Sequence, residues 1–236
     1  MHVVLVGAGG LGGPLALALA AAGAELTIYD DDVVDASNLH RQLQFTLDDL
    51  GQPKAEVLAQ AVRRRGGAAK ARLQRWTAEL ARGASAPKGG NVGGDVDGDV
   101  SVIVDGSDDP LTKFAVADWA AQRRIPSVVA GALGLGGNVF VSAPGAACFR
   151  CLFENPPQEA ASCAQAGVLG PVVAAVAAVA ARAALGLAAG DFSDAGSIWV
   201  IDAWQAPRRV PVLPRPGCPG CSDSSTRPLQ TPAVVA

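Results

Sequence analysis

The sequence predicts an α/β fold, a sheet with helices on both faces that is extended by C-terminal strands and stapled by a cysteine knuckle. Three observations carry this. The chain opens on HVVLVGAGGLGGPLALALAAAGAELTIYD, which passes from an apolar strand through glycines into a helix and on to a second strand. Apolar strand-like segments then alternate with helical ones, the pattern of βαβ units. Finally, four of the five cysteines stand in two identical spacings, Cys148-x-x-Cys151 and Cys218-x-x-Cys221.

The elements follow in order. Gly7, Gly9 and Gly12 form G-x-G-x-x-G at the first strand-to-helix turn, with Gly10 between them, and Asp30 closes the second strand. That is the Rossmann-like nucleotide-binding fingerprint in its required context: residues without Cβ let the backbone approach a phosphate, helix N–H groups point at the anion, and the acid takes ribose hydroxyls. A helix is predicted over 53–65 and a short strand over 72–76. Residues 83–99 are too rich in Gly and Asp to pack and read as a flexible loop. A strand begins at Ser101 and ends in Asp105, Ser107, Asp108 and Asp109. A helix over 111–122 and strands at SVVAGA and GNVFVSA follow. The Ala-rich run 166–190 carries Arg182 and has Pro171 near its start, which fits a buried helix better than a membrane span. Strands SIWVIDAW and RRVPVL precede the second cysteine pair, and residues 222–236 read as a frayed tail. The division expected is one domain over 1–221 plus that tail.

The 236 residues are half hydrophobic, enough to bury a sizeable core, and the net charge of -3 calls for neither nucleic acid nor a membrane surface as partner. Without a visible targeting peptide the chain reads as cytoplasmic. Cys148, Cys151, Cys218 and Cys221 supply four thiolates, the ligand set of a tetrahedral structural zinc. Two local disulfides or a redox C-x-x-C are the alternatives. No secretory signal precedes residue 1, and neither pair opens a helix in a thioredoxin-like setting. Cys163, between the pairs, is left over.

A glycine fingerprint alone is shared by hydride-transfer enzymes, methyltransferases and nucleotidyl transferases, so its neighbours decide. After Asp30 and Asp32, the residues Ser37, Asn38, Arg41 and Gln42 crowd one polar loop, where they are either a solvated turn or a grip for phosphate oxygens. Lys54 at a helix start adds a point charge, or is an exposed helix residue. Asp108 and Asp109 compete for two roles. Pro110 at a first helical position makes Asp109 the cap, leaving Asp108 at the strand end to hold Mg²⁺ beside a polyphosphate.

GAGGLG, the Asp30-Asp31-Asp32-x-Val34 turn, SNLHRQ, GQPK, DGSDD, CFRCL, SCAQAGVLGP and CPGC occur in the order that defines the ThiF/MoeB/HesA family, bacterial relatives of ubiquitin-activating enzymes. The chain resembles that family over residues 1–222. The resemblance implies adenylation, with ATP and Mg²⁺, of the C-terminal Gly-Gly carboxylate of a small ubiquitin-like sulfur-carrier protein. It implies that Gly9 and Gly12, beside Gly7 and Gly10, line the phosphate loop and that Asp30 binds ribose near Asp32. Asn38, Arg41, Gln42 and Lys54 would contact the triphosphate, Asp108 would hold Mg²⁺, and a homodimer is expected. Cys163 matches the position where relatives carry a cysteine able to form a sulfur-linked adduct with the carrier; a small buried residue before a helix is the other reading.

Three departures accompany the resemblance. The chain starts almost at its first strand, so the N-terminal arm from which relatives lend an arginine to the neighbouring subunit is expected to be missing. The Gly-rich segment at 83–99 replaces more ordered chain. No sulfurtransferase domain follows, so the sulfur donor is expected to be a separate protein. Two rival readings are a carrier-binding scaffold impaired in adenylation, and an NAD-dependent oxidoreductase, which accounts for the glycines and Asp30 but not for SNLHRQ, Lys54 or the cysteines.

Overall fold

Strand β1 (His2–Val6) ends in four consecutive buried residues, as a strand covered on both faces must. Val3 and Leu5 enter one apolar layer while Val4 and Val6 enter the other, the period-two alternation of a strand. The computed structural model describes residues 1–83, 99–157 and 167–221. After β1 come α1 (Gly12–Ala21), β2 (Glu25–Tyr29), α2 (Lys54–Arg64), β3 (Ala68–Arg72) and α3 (Ala78–Gly83). Then follow β4 (Val102–Asp105), α4 (Pro110–Arg123), β5 (Ser127–Leu133), β6 (Gly136–Ser142), the single turn α5 (Phe149–Leu152), α6 (Gly170–Ala188), β7 (Ser197–Asp202) and β8 (Arg208–Pro211).

These strands form one sheet in the order β3-β2-β1-β4-β5-β6-β7-β8. The first five are parallel, and β6, β7 and β8 are added antiparallel. The predicted fold class is therefore the observed one. Helices α1, α2 and α6 cover one face, with Leu15, Leu19, Leu58, Val62 and Val176 in its core. The other face is covered by α3 and α4. Strands β1 and β4 are neighbours although the chain reverses its direction of winding between them, so the crevice beyond their carboxyl ends lies at a topological switch point.

One expectation needs correction. The strand predicted over 72–76 lies instead at Ala68–Arg72, paired in register with β2. Gly66, with φ +84°, closes α2 early and lets the next residues join the sheet. Trp76 is then free to be a core residue, wedged edge-on between Tyr29 at 5.0 Å and Trp119 at 5.3 Å. The first cysteine pair keeps to its expectation: Cys148 stands at the N-cap of the single turn α5. That turn is four residues long and follows an antiparallel strand, so it is not a thioredoxin-like βαβ setting.

Helix α6 is long and apolar enough to cross a membrane, but half of it is buried within the protein, and it is a core helix with Pro171 in its first turn, as its sequence predicts. The Gly-rich stretch falls almost wholly on 84–98, the tail on 222–236 and Cys163 within 158–166; all three lie outside the described residues.

Candidate active site

The glycine turn between β1 and α1 is built by close approach. Gly7 has φ +91°, and a Cβ there would stand 2.8 Å from the Ser107 amide nitrogen. A Cβ on Gly12 would collide with the Gly7 carbonyl oxygen. Any side chain at either position would push the turn open. Gly9 and Gly10, whose amides have no partner among the described residues, line the cleft at the N-terminus of α1, where backbone donors and the helix dipole favour an anion.

Asp30 follows β2 and fastens the turn from beside it. Its Oδ2 accepts from the Ala8 N–H at 2.6 Å and its Oδ1 from the Asp32 N–H at 2.9 Å. Burial raises its pKa above the ordinary carboxylate value, with these N–H groups and Lys54 pulling the other way. Lys54, the first residue of α2, is only 6% exposed and its ammonium sits 2.8 Å from Asp32. It is therefore not the exposed helix residue of the alternative reading.

The polar loop is held together by its own hydrogen bonds. Asp35 caps a 3₁₀ turn, Ala36–Asn38, by accepting from the Ser37 N–H at 2.8 Å. The Ser37 hydroxyl, followed by its N–H, holds the Asp35 carboxyl below its usual value. Asn38 Oδ1 then accepts from Arg41 Nη2 at 2.7 Å and from Gln42 Nε2 at 3.4 Å. Gln42 is 4% exposed, and its Oε1 is buried without a partner among the described residues. Only a donor can satisfy that oxygen, so it is the Nε2 group, with one hydrogen left after Asn38, that can serve a phosphate oxygen.

At the end of β4, Gly106 N–H donates to the Val6 carbonyl at 2.8 Å, which brings this strand end against the glycine turn. Asp109 caps α4 through the N–H groups of Leu111 and Thr112, with Pro110 in the first turn. Asp108 is exposed in the cleft. The division of roles expected for this pair thus holds for the cap.

The structure brings Gly7, Gly9, Gly10, Asp30, Asp32, Asn38, Arg41, Gln42, Lys54 and Asp108 to one cleft of about 790 Å³; Gly12 supports it from beneath without lining it. Two cleft residues escape sequence reasoning. Arg75 pairs with Asp31 at 3.2 Å, and the Asp31 charge raises its pKa. Lys113 reaches Asp105 at 2.8 Å and the carbonyls of Ser107 and Ala130 at 2.6 Å each. Its only sequence signal is a lysine among the buried residues Thr112 and Phe114 of α4. Beyond the nucleotide-type half, the cleft continues along Gly131, Gly136, Gly137 and Asn138 of the β5–β6 hairpin to Val200 and Asp202 of β7.

The first cysteine pair follows β6 at the end of the sheet opposite the cleft, since Ser142 at the end of β6 pairs with Ser127 at the start of β5, and the second pair meets it there. Their sulfurs lie within 4.8 Å of one another, with separations of 3.9 Å (Cys148–Cys151), 3.6 Å (Cys148–Cys218) and 3.4 Å (Cys151–Cys221). A tetrahedral zinc with bonds of about 2.3 Å places its sulfurs about 3.8 Å apart. A disulfide would need about 2.05 Å. The residues therefore fit zinc and not a disulfide in this arrangement. The Arg215 N–H donates to Cys151 Sγ at 3.3 Å, an outer contact that orients a thiolate. Burial pushes Cys148 up and takes Cys221 to about 11. At Cys218 burial is outweighed by hydrogen bonds from the Gly220 backbone and the neighbouring thiols, and the pKa falls. Four thiols this close need a cation among them to ionise together.

A glycine turn, an acid at the end of the second strand and a cation-bearing loop at a switch point define a Rossmann-like α/β protein of the nucleotide-binding class. Residues 1–220 match the ThiF family, and the chain belongs to that family. It is 33% identical over 234 residues to the sulfur carrier protein ThiS adenylyltransferase of Escherichia coli, covering 97% of this chain and 88% of that one. To the sulfur carrier protein adenylyltransferase of Thermus thermophilus it is 34% identical, covering 95% of this chain and 83% of the relative. The crystal structure of E. coli MccB with ATP superposes with a TM-score of 0.74 at 19% identity. That likeness covers 93% of this chain but only 65% of MccB, so the protein spans about two thirds of its length.

Proposed function

We propose that the protein is an ATP-dependent adenylyltransferase acting on the C-terminal Gly-Gly carboxylate of a small ubiquitin-like sulfur-carrier protein. The observation that carries the reading is the cleft itself. Its nucleotide half holds the interlocked Asn38, Arg41 and Gln42 with Lys54 opposite the glycine turn, and its other half runs on as a groove floored by glycines. A nucleotide fills the first part, and a narrow extended peptide end suits the second. The names of the relatives supply the acyl substrate.

In the reaction a carboxylate oxygen bonds to the α-phosphorus, the α–β bridging oxygen bond breaks, and pyrophosphate leaves with the electron pair. Such a displacement needs positioning and charge neutralisation rather than a protein nucleophile. Arg41 and Lys54 supply the cations, Asn38 and Gln42 hold phosphate oxygens, and the amides of Gly9 and Gly10 complete the cradle. Asp30 receives the ribose, with Asp32 holding Lys54 in place. Mg²⁺ would bind at Asp108, a carboxylate with no protein partner among the described residues, and would supply further charge neutralisation. Zinc at Cys148, Cys151, Cys218 and Cys221 would be structural, because all four positions are taken by protein sulfur and the cluster is at the end of the strands away from the cleft. The remaining parts of the reading are one adenylation domain over 1–221, a homodimer, a separate sulfur donor, a cytoplasmic location and a carrier-linked role for Cys163.

ATP–pyrophosphate exchange tests the reading. Exchange should depend on a carrier protein ending in Gly-Gly, and Arg41→Ala or Asp108→Ala should each abolish it while leaving the fold intact. Exchange absent with every such carrier, or retained in full by both variants, would overturn it.

A further inference from the structure

Gln44 ends the phosphate-gripping loop, and its carboxamide reaches back across the glycine turn. Nε2 donates to the carbonyl oxygens of Ala8 and Gly9, at 2.9 Å each. An amide nitrogen has two hydrogens, one for each carbonyl. The flipped amide would set its oxygen against both carbonyls, so chemistry fixes the nitrogen toward the turn. In return Oε1 is buried with no partner among the described residues. Ala8 is itself fully buried, and its carbonyl has no other partner there, whereas that of Gly9 also accepts from the Gly13 N–H at 2.9 Å.

A separate feature of the chain makes room for this contact. A Cβ on Gly13, the second residue of α1, would overlap the Cδ and Oε1 of Gln44. Gly13 therefore accommodates the side chain of Gln44, as Gly12 accommodates the Gly7 carbonyl.

We infer that Gln44 is a positioning residue for the nucleotide, a strap that locks the glycine turn to the loop bearing Asn38, Arg41 and Gln42. It gives the buried Ala8 carbonyl its partner among the described residues, adds a second donor to that of Gly9, and fixes the distance between the two segments that grip the nucleotide. The role rests on the nucleotide reading above, but the strap is a property of the free protein.

Two measurements on the full chain test it: hydrogen exchange over residues 7–13 without nucleotide, and calorimetric binding of ATP with Mg²⁺. Gln44→Ala should accelerate exchange and weaken ATP binding roughly tenfold, the loss expected for two modest hydrogen bonds. Gln44→Glu keeps the size but brings no donor at neutral pH, so it should bind ATP no better than Gln44→Ala; a residue that only fills space would tolerate it. Gly13→Ala should push the flexible carboxamide aside and reproduce the Gln44→Ala defect. The double variant should be no worse than either single one, because both remove the same contact. Wild-type affinity in Gln44→Ala or Gln44→Glu, or additive defects in the double variant, would overturn the strap alone. Failure of the wild-type protein to bind ATP would overturn the nucleotide reading and this role together.

Discussion

Replacing Lys113 by Met should reveal how strongly the end of β4 depends on one buried charge pair. Asp105 is fully buried, and Lys113, 16% exposed, lies 2.8 Å from its Oδ2. At an effective dielectric of 20 two unit charges at that distance attract by about 6 kcal/mol, part of which offsets their desolvation. Removing one partner leaves the other buried and uncompensated, a loss of about 3–5 kcal/mol. The carbonyls of Ser107 and Ala130 lose a donor as well. For a chain of this size that corresponds to a fall in Tm of roughly 6–20 °C. Thermal unfolding followed at several pH values provides the assay. Burial raises the Asp105 pKa even with Lys113 opposing it, and without Lys113 the rise is larger. A carboxyl whose folded pKa is raised favours folding below its unfolded value, and that contribution disappears as pH rises through the folded pKa. The variant should therefore lie furthest below wild type at pH 8 and recover as the solution is acidified. Adding Asp105→Asn should restore most of the loss. A Tm within about 2 °C of wild type at pH 8, or a gap that does not narrow in acid, would refute the reasoning.

Cys218→Ser should lose the bound metal and much of the stability of the β6 and β8 ends, read by elemental analysis and thermal unfolding; a wild-type protein without zinc would contradict the assignment. Asp109→Ala removes the α4 cap and should cost about 1 kcal/mol of stability while leaving ATP affinity close to normal, whereas Asp108→Ala should do the reverse. Equal effects in both assays would dissolve that distinction. For Asp30, the raised folded pKa means that wild-type stability gains from protonation as pH falls toward the unfolded value near 3.8. Asp30→Asn should lack that gain in an acid titration of stability and should also bind ATP more weakly; an unchanged slope would argue against the buried carboxyl.

Much of the site was legible because its residues are close in sequence. The glycine turn, Asp30, and the run from Asn38 to Gln42 each carry a local pattern with a physical purpose. The Pro110 signal separated the cap at Asp109 from the free carboxylate at Asp108 for the same reason. Lys113, Arg75 and Gln44 were not legible. Each acts on a partner contributed by another element: Lys113 on the end of β4 and the middle of β5, Arg75 on the turn after β2, Gln44 on carbonyls some 35 residues away. The misplaced third strand has a similar origin. Trp76 has strand propensity, but packing between Tyr29 and Trp119 outweighed it.

By itself the sequence determined the α/β class, the nucleotide turn and the pairing of four cysteines, since each is written in spacing and in residue type over short distances. Only the tertiary structure decided that the cysteines gather at the strand ends away from the cleft, that Lys54 is buried against Asp32, and that Gln44 ties the glycine turn to the polar loop. The difference is physical. A turn needs its glycines whatever surrounds it, but an ion pair or a strap exists only once the sheet has brought distant residues within about 3 Å of each other.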